Sequence, residues 1–325
     1  RVLFRSTQRQ TLSVIESKLN ELSVNGLGMQ LTKFFNSFQS LAQQPEELLP
    51  RTNIINQAKR LIDSFHRVYQ TYNSAQTNTV QQLNSVLNQI NDLSKQIADV
   101  DVEILRLQSS GANANDLLDK RDVLIDEISK YANVKVSEDS KGSALVSIGG
   151  TVIASRAGAI QLQTAIANFD TTFEGNDVTL PKLIIVTPPY NADSEADPRQ
   201  RQVNISSGQI NGYLTTYNDI LTPGLIRINS FANMLTTSVN DIHSQGAGRY
   251  NPDTGDVPSG VDFFANDSPD TEDLVLGASA LNLRLSDDII ADPNAVASSS
   301  DDTIPGNNDI ALQISNLAEI GRAHV

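Results

Sequence analysis

From residue 50 to residue 108 the apolar positions keep an unbroken three-four alternation. They run Ile55, Ala58, Ile62, Phe65, Tyr69, Tyr72, then the polar pair Gln76 and Thr79, then Leu83, Val86, Ile90, Leu93, Ile97, Val100, Ile104 and Leu107. Such a stripe is the a/d seam of a coiled-coil helix. At 1.5 Å per residue it extends roughly 80 Å, several times what a compact domain uses, so partner helices must cover it along its length. A structural or assembly role follows more naturally than catalysis. Gln76 and Thr79 either specify register or mark a local loosening of the seam.

The 325 residues carry a net charge of -14, and no Lys/Arg stripe offsets that excess, so nucleic acid is not an expected partner. Cysteine is absent, which suits a secreted chain without disulfides or a chain indifferent to redox state. No apolar run is long enough to span a membrane and no signal-peptide core is visible, so neither membrane insertion nor a cleaved leader is expected. Trp is absent while Asn, Gln, Ser and Thr are heavily used, a composition expected to cover extended polar surfaces rather than line a pocket. The two ends are expected to be foreign. Arg1-Val2-Leu3-Phe4-Arg5-Ser6 can be written in codons whose reverse complement, out of frame, encodes Ile320-Gly321-Arg322-Ala323-His324. Residues 1–6 and 319–325 are therefore assigned to a DNA adapter, with the native chain cut at both ends.

A helical face at Leu12, Ile15, Leu19 and Leu22 opens the native sequence, and Asn25-Gly26 breaks it. Residues 27–43 resume as helix with Leu31, Phe34, Phe35, Phe38 and Leu41 in one stripe, stopped at Gln44-Pro45. Pro50 suits the first turn of the long helix and Gly111 its left-handed cap. Asn115 is the expected N-cap of the next helix, with Asp116 and Asp119 favourable to its dipole and Leu117, Leu118, Leu124, Ile125, Ile128 and Tyr131 on its inner face. So short a connection forces an antiparallel hairpin. A turn centred near Ala112 sets Arg121 opposite Glu103 in an exposed ion pair.

After Ala132 the period changes to two. Residues 134–136, 144–148, 151–154, 160–163 and 183–187 read as short strands, with Gly149-Gly150 a hairpin turn, and 204–208 and 213–216 continue the β region. Leu225, Ile228, Ala232, Leu235, Val239 and Ile242 then form a second seam, expected to pack on the first. Val261–Ala265, 274–276 and 281–285 have strand character, and Asp292-Pro293-Asn294 caps a helical turn. The expected fold is α+β: a long antiparallel helical coiled-coil bundle with an inserted small antiparallel β-rich domain. Its parts are a helical rod (7–133), the β domain (134–220), a rod helix (221–246), a loop and short-strand region (247–308) and the start of a last rod helix (309–318).

Little in the sequence favours a reactive site. His66 lies off the seam and reads as a surface residue, whereas His243 ends a helix, where the dipole favours a cation. No Ser/His/Asp set or HExxH is present, so no enzyme and no cofactor are expected. Asn251-Pro252-Asp253-Thr254-Gly255-Asp256 resembles a calcium loop superficially. Its twelfth position holds Asp262 in place of the bidentate Glu of such a loop and Pro252 stiffens its start, so it reads as a polar turn. No metal is expected.

Several ordered segments resemble the flagellar hook-associated protein 1 family (the FlgK type), which forms the junction between hook and filament. They are Phe34–Ala42, the run Asn115-Asp116-Leu117-Leu118-Asp119-Lys120-Arg121-Asp122, and Ser207–Leu214 around Gly208. Val239-Asn240 with His243 and Gly246, Val261-Asp262-Phe263-Phe264, Asp292-Pro293 with Ala297-Ser298-Ser299, and Gly306-Asn307-Asn308 complete the set. Asn211 and Tyr213 replace residues usually richer in Gly and Leu, and Gln245–Tyr250 departs from the usual Gly-x-Asp loop. The resemblance implies a structural, non-enzymatic subunit of a tubular assembly. Its implied partners are copies of itself, the hook protein and the adjoining hook-associated protein. It also implies an extracellular position reached by export without a cleaved signal peptide, and a fragment that lacks the axial terminal helices and cannot polymerise alone. The competing expectation is a secreted coiled-coil binding or effector protein, such as a type III translocator or a filament-tip adhesin.

Overall fold

A computed structural model describes residues 26–324 except 140–141, 174, 189–197, 267–278, 302 and 305, together with residues 9, 12–13 and 15–17 near the start. The expected strand at 274–276 lies outside the described residues. The chain divides into two compact units, one built on Ser74–Pro223 and the other on Ile15–Asn73 and Gly224–Val325. We call them the sheet unit and the bundle unit. Helix α2, Leu48–Ser109, is a single helix of 62 residues that supplies both.

In the bundle unit, α1 (Leu27–Gln43), the first part of α2, α5 (Thr222–His243) and α8 (Asp309–His324) share one core. Phe34, Phe38, Leu41, Ile54, Ala58, Leu61 and Phe65 meet Ile228, Ala232, Leu235 and Val239, and Ile310, Ala311 and Ile314 close it. Both seams therefore face inward, and each fully buried Leu, Ile or Phe contributes about 1.5–3 kcal/mol before chain entropy is set against it. Phe263 and Phe264 enter the same core, the second as the first residue of β7 (Phe264–Asn266). Strand β7 pairs antiparallel with β8 (Leu283–Leu285). One helical turn, α6 (Ser279–Asn282), precedes β8, so the alternation at 281–285 holds only for its second half. Helix α7 (Asp287–Ala291) and a 3-10 turn at Pro293–Ala295 follow, the latter capped by the Asp292 carboxylate accepting from the Asn294 N–H as expected.

In the sheet unit, the hairpin of α2 with α3 (Asn115–Ser129) carries a four-stranded antiparallel sheet. Its order is β1 (Val134–Glu138), β2 (Ala144–Ile148), β3 (Thr151–Ser155), β4 (Gly158–Ala159). Leu83, Leu87, Ile90 and Ile97 pack on Val146, Ile148, Ile153 and Ile128. A separate two-stranded hairpin joins β5 (Gln163–Phe173) to β6 (Asn176–Val186), where the short strands 160–163 and 183–187 were expected. The stretch 204–216 corrects a further expectation. Gly208–Thr215 is a helix, α4, followed by a π-helical segment at Thr216–Leu221 that leads into α5. Ile210, Tyr213, Tyr217 and Leu221 are its buried face, at steps of three and four.

Candidate functional site

The motif residues gather at two buried polar centres, one in each unit. In the sheet unit Arg121 is buried on α3, and its Nη1 donates to Asp101 Oδ1 of α2 at 3.0 Å. The Ser143 hydroxyl, beside β2, donates to the other oxygen of Asp101 at 2.7 Å. One carboxylate thus ties both arms of the hairpin to the sheet. The expected pair of Arg121 with Glu103 is not formed. Glu103 accepts instead from Arg106 on its own helix at 2.8 Å, and that bond holds its carboxyl below the usual range. Two facts explain the difference. The turn is centred on Gly111, whose φ of 77° takes the left-handed cap, so Asp101 rather than Glu103 lies level with Arg121. Residues two apart on a helix also point to nearly opposite faces.

The expected N-cap is displaced as well. Asn115 is the first helical residue, Ala114 stands at the cap, and the Asn113 side chain accepts from the Asn115 N–H at 2.9 Å. Asp116, Asp119 and Asp122 are exposed, while Leu117 and Leu118 pack half-buried against Val100, Ile104 and Ala114. Gly208 opens α4 where no other residue fits. Its φ is 81°, and a Cβ there would lie 2.3 Å from the Tyr131 carbonyl oxygen, a backbone atom that cannot yield.

The bundle unit is organised around His243. Its imidazole is fully buried, with Nδ1 2.6 Å from the Val261 carbonyl and Nε2 accepting from the Ala297 N–H at 2.9 Å. That pattern needs the neutral ring with its proton on Nδ1. Burial pushes the pKa down to about 4, and the Val261 bond offsets part of this. The helix-end cation expected at this position is therefore not present. Phe263 stacks edge-on against the ring at 5.3 Å and on Phe264 at 4.8 Å. The Asp262 carbonyl accepts from the Ser286 hydroxyl, and the Asp262 side chain faces solvent.

Arg51 is the residue the motifs did not single out. It is fully buried, donating from Nε to the Val296 carbonyl at 3.1 Å and from Nη2 to the Ser298 hydroxyl at 2.8 Å. Its Nη1 donates to the carbonyls of Pro45 and Glu47. Burial lowers its pKa to about 10, with Arg249 lowering it further and Glu46 opposing. The signal was present, because Arg51 stands four residues before Ile55 on the seam register, where a charge has to be explained.

Asparagine supplies a second signal that composition disguised. Asn91, Asn218 and Asn240 each clasp one backbone residue with the side-chain amide, accepting its N–H and donating to its C=O, and the Asn240 oxygen accepts from the Phe263 N–H as well. The residues so held are Leu162, Leu183 and Phe264, at 2.7–3.0 Å. His66 is also not the surface residue expected, since it is half-buried with Nε2 3.1 Å from the Leu283 carbonyl. Asn251 to Asp256 closes as a turn, with Asn251 bonded to the Asp292 carboxylate at 2.6 Å. Among the described residues no group of three or more His, Cys, Asp or Glu is placed to hold a metal, and no helix is long and apolar enough to cross a membrane.

Fold and buried centres together define a class: a helical fold with an inserted sheet, whose polar side chains hold backbone and one another. Residues 12–264 match the helical domain of the flagellar hook-associated protein FlgK, and the chain belongs to that family. It is 24% identical over 331 residues to flagellar hook-associated protein 1 of Bacillus subtilis, covering 97% of this chain and 62% of that protein. With the Salmonella typhimurium protein of the same name the identity is 27% over 267 residues, covering 81% of this chain and 45% of the relative. The flagellar hook junction protein FlgK from Burkholderia pseudomallei shares the fold, with a TM-score of 0.58, 22% identity and coverage of 81% of this chain and 45% of that one. The chain thus spans about half to two thirds of the length of these relatives.

Proposed function

We propose that this chain is the helical, sheet-bearing part of a hook–filament junction subunit of the bacterial flagellum, needed for flagellum assembly and motility and acting without catalysis. The observation that carries the reading is the family match over residues 12–264, and the proteins it resembles are named for the hook or its junction. The role is mechanical. A helix of 62 residues clamped at two buried polar centres resists bending and transmits load along its own hydrogen bonds. Copies of the same chain, the hook protein and the adjoining hook-associated protein are its proposed neighbours. Its proposed location is outside the cell, reached by export without a cleaved signal peptide. None of the relatives named above is a translocator or an adhesin. The test is complementation: the complete gene from which this segment comes is expressed in a strain lacking its own hook-associated protein 1. Filaments attached to hooks and restored swimming are expected. Normal export of the protein with filaments still shed would contradict the reading.

A further inference from the structure

Among the described residues the β5–β6 hairpin has no third strand, and the outer side of β6 is met by one isolated antiparallel bridge, Val186 to Gln202, so the rest of β6 presents a second edge to whatever lies beside it. The hydrogen bonds of Asn218 establish which β6 residues point that way. Both the N–H and the C=O of Leu183 bond to the Asn218 amide, at 2.8 and 2.9 Å, so neither faces Ile166, its partner on β5. In an antiparallel ladder the outward residues alternate, which places Pro181, Leu183 and Ile185 on the outer edge. Thr187, just past the strand, continues the alternation.

Each of those positions is accounted for without a full neighbouring strand, the end of β6 by the short bridge of Val186 to Gln202. The Thr187 N–H donates to the Arg201 carbonyl at 3.1 Å, and the Ile185 carbonyl accepts from the Val203 N–H at 2.8 Å. The Asn218 amide then takes Leu183 where the 201–203 segment leaves off. Pro181 has no N–H to offer, and an outward position on an edge strand is where proline is tolerated.

We infer that Asn218 acts as a one-residue surrogate strand, aimed by the π turn at Thr216–Leu221, which closes the β6 edge against strand addition by a second copy of this chain. The wide turn explains how a helical residue reaches a strand. A π turn carries one residue more than an α turn, and such turns recur where a side chain must be re-aimed. Asn91 and Asn240 make the same two bonds, but to Leu162 ahead of β5 and to Phe264 within the bundle core. Asn240 also accepts from the Phe263 N–H, so Asn91 is the control of matching chemistry. For a subunit designed to assemble in one geometry, an open edge would offer a competing mode of self-association.

The experiment compares Asn218→Ala, Asn91→Ala, Pro181→Val and the double variant Asn218→Ala/Pro181→Val by sedimentation over a micromolar to millimolar range, with amide exchange read at Leu183. Asn218→Ala is expected to speed Leu183 exchange about tenfold, the loss of one net hydrogen bond, and to self-associate as concentration rises. The double variant should associate more strongly, and Pro181→Val alone should remain monodisperse because Asn218 still covers Leu183. Asn91→Ala should lose stability without associating. Should Asn218→Ala unfold, Asn218→Asp keeps the acceptor and loses the donor, and must show the same association in weaker form. Unchanged Leu183 exchange in Asn218→Ala, or association equal in the Asn91 and Asn218 variants, would overturn the assignment.

Discussion

The two units bury charge in opposite ways. In the sheet unit Arg121 meets a carboxylate, Asp101, and the two neutralise each other below the surface. In the bundle unit Arg51 meets carbonyl oxygens and a hydroxyl, and His243 is held neutral. The contrast teaches how each centre responds to damage. Removing one member of a buried ion pair strands the other charge, whereas removing Arg51 takes the charge away with it.

The largest effect should follow from stranding. Arg121→Met is expected to cost the sheet unit about 3–5 kcal/mol in denaturant unfolding, because Asp101 is left buried with the Ser143 hydroxyl alone. Replacing both members, Asp101→Leu with Arg121→Met, should recover most of that loss. If the double variant is no better than the single, the pair is more than a neutralised charge. Arg51→Met should cost about 3 kcal/mol, for the carbonyls and hydroxyl left unpaired, and Arg51→Lys should recover part of it. A cost for Arg51→Met above that of Arg121→Met would break the comparison. Gly208→Ala should cost a similar amount, about 3 kcal/mol, in the sheet unit, through the positive φ and the approach to Tyr131. At the small end, Glu103→Gln should leave the melting temperature unchanged, since the Arg106 pair is exposed. A measurable loss there would revive the register in which Glu103 faces Arg121.

Much of this was legible in the chain. The seam, the hairpin, the second seam at 225–242 and the turn at Asp292 follow from periodicity and capping alone. The hairpin register did not, because shifting a turn centre by one residue shifts the opposing partner by two, and in a helix that exchanges one face for the other. Helix α4 was hidden by Gly208, Gly212 and the Thr215-Thr216 pair, all poor helix formers, although Ile210, Tyr213, Tyr217 and Leu221 kept helical spacing. Pro181 and the polar Thr/Asp alternation concealed the length of β5 and β6. Asparagine was read as surface, and three asparagines turn out to hold backbone inside the units. Their role depends on which backbone lies opposite, which one sequence does not encode locally.

Acid separates the units most cleanly, because all three histidines, at 66, 243 and 324, lie outside Ser74–Pro223. An unfolded His243 takes up a proton near pH 6.5, whereas the folded one resists until about pH 4. Its contribution to stability is complete above pH 6.5, falls as pH drops through that interval, and is gone below about pH 4. The loss is about 3 kcal/mol. Residue-resolved hydrogen exchange followed from neutral pH down to pH 4 reads this directly. The bundle unit, reported by amides around Val239, Val261 and Ala297, should lose protection over that range, while those around Ile97, Ile128 and Val146 hold theirs. Loss of protection in the sheet unit first, or unaltered acid sensitivity of the bundle unit in His243→Gln, would contradict the account.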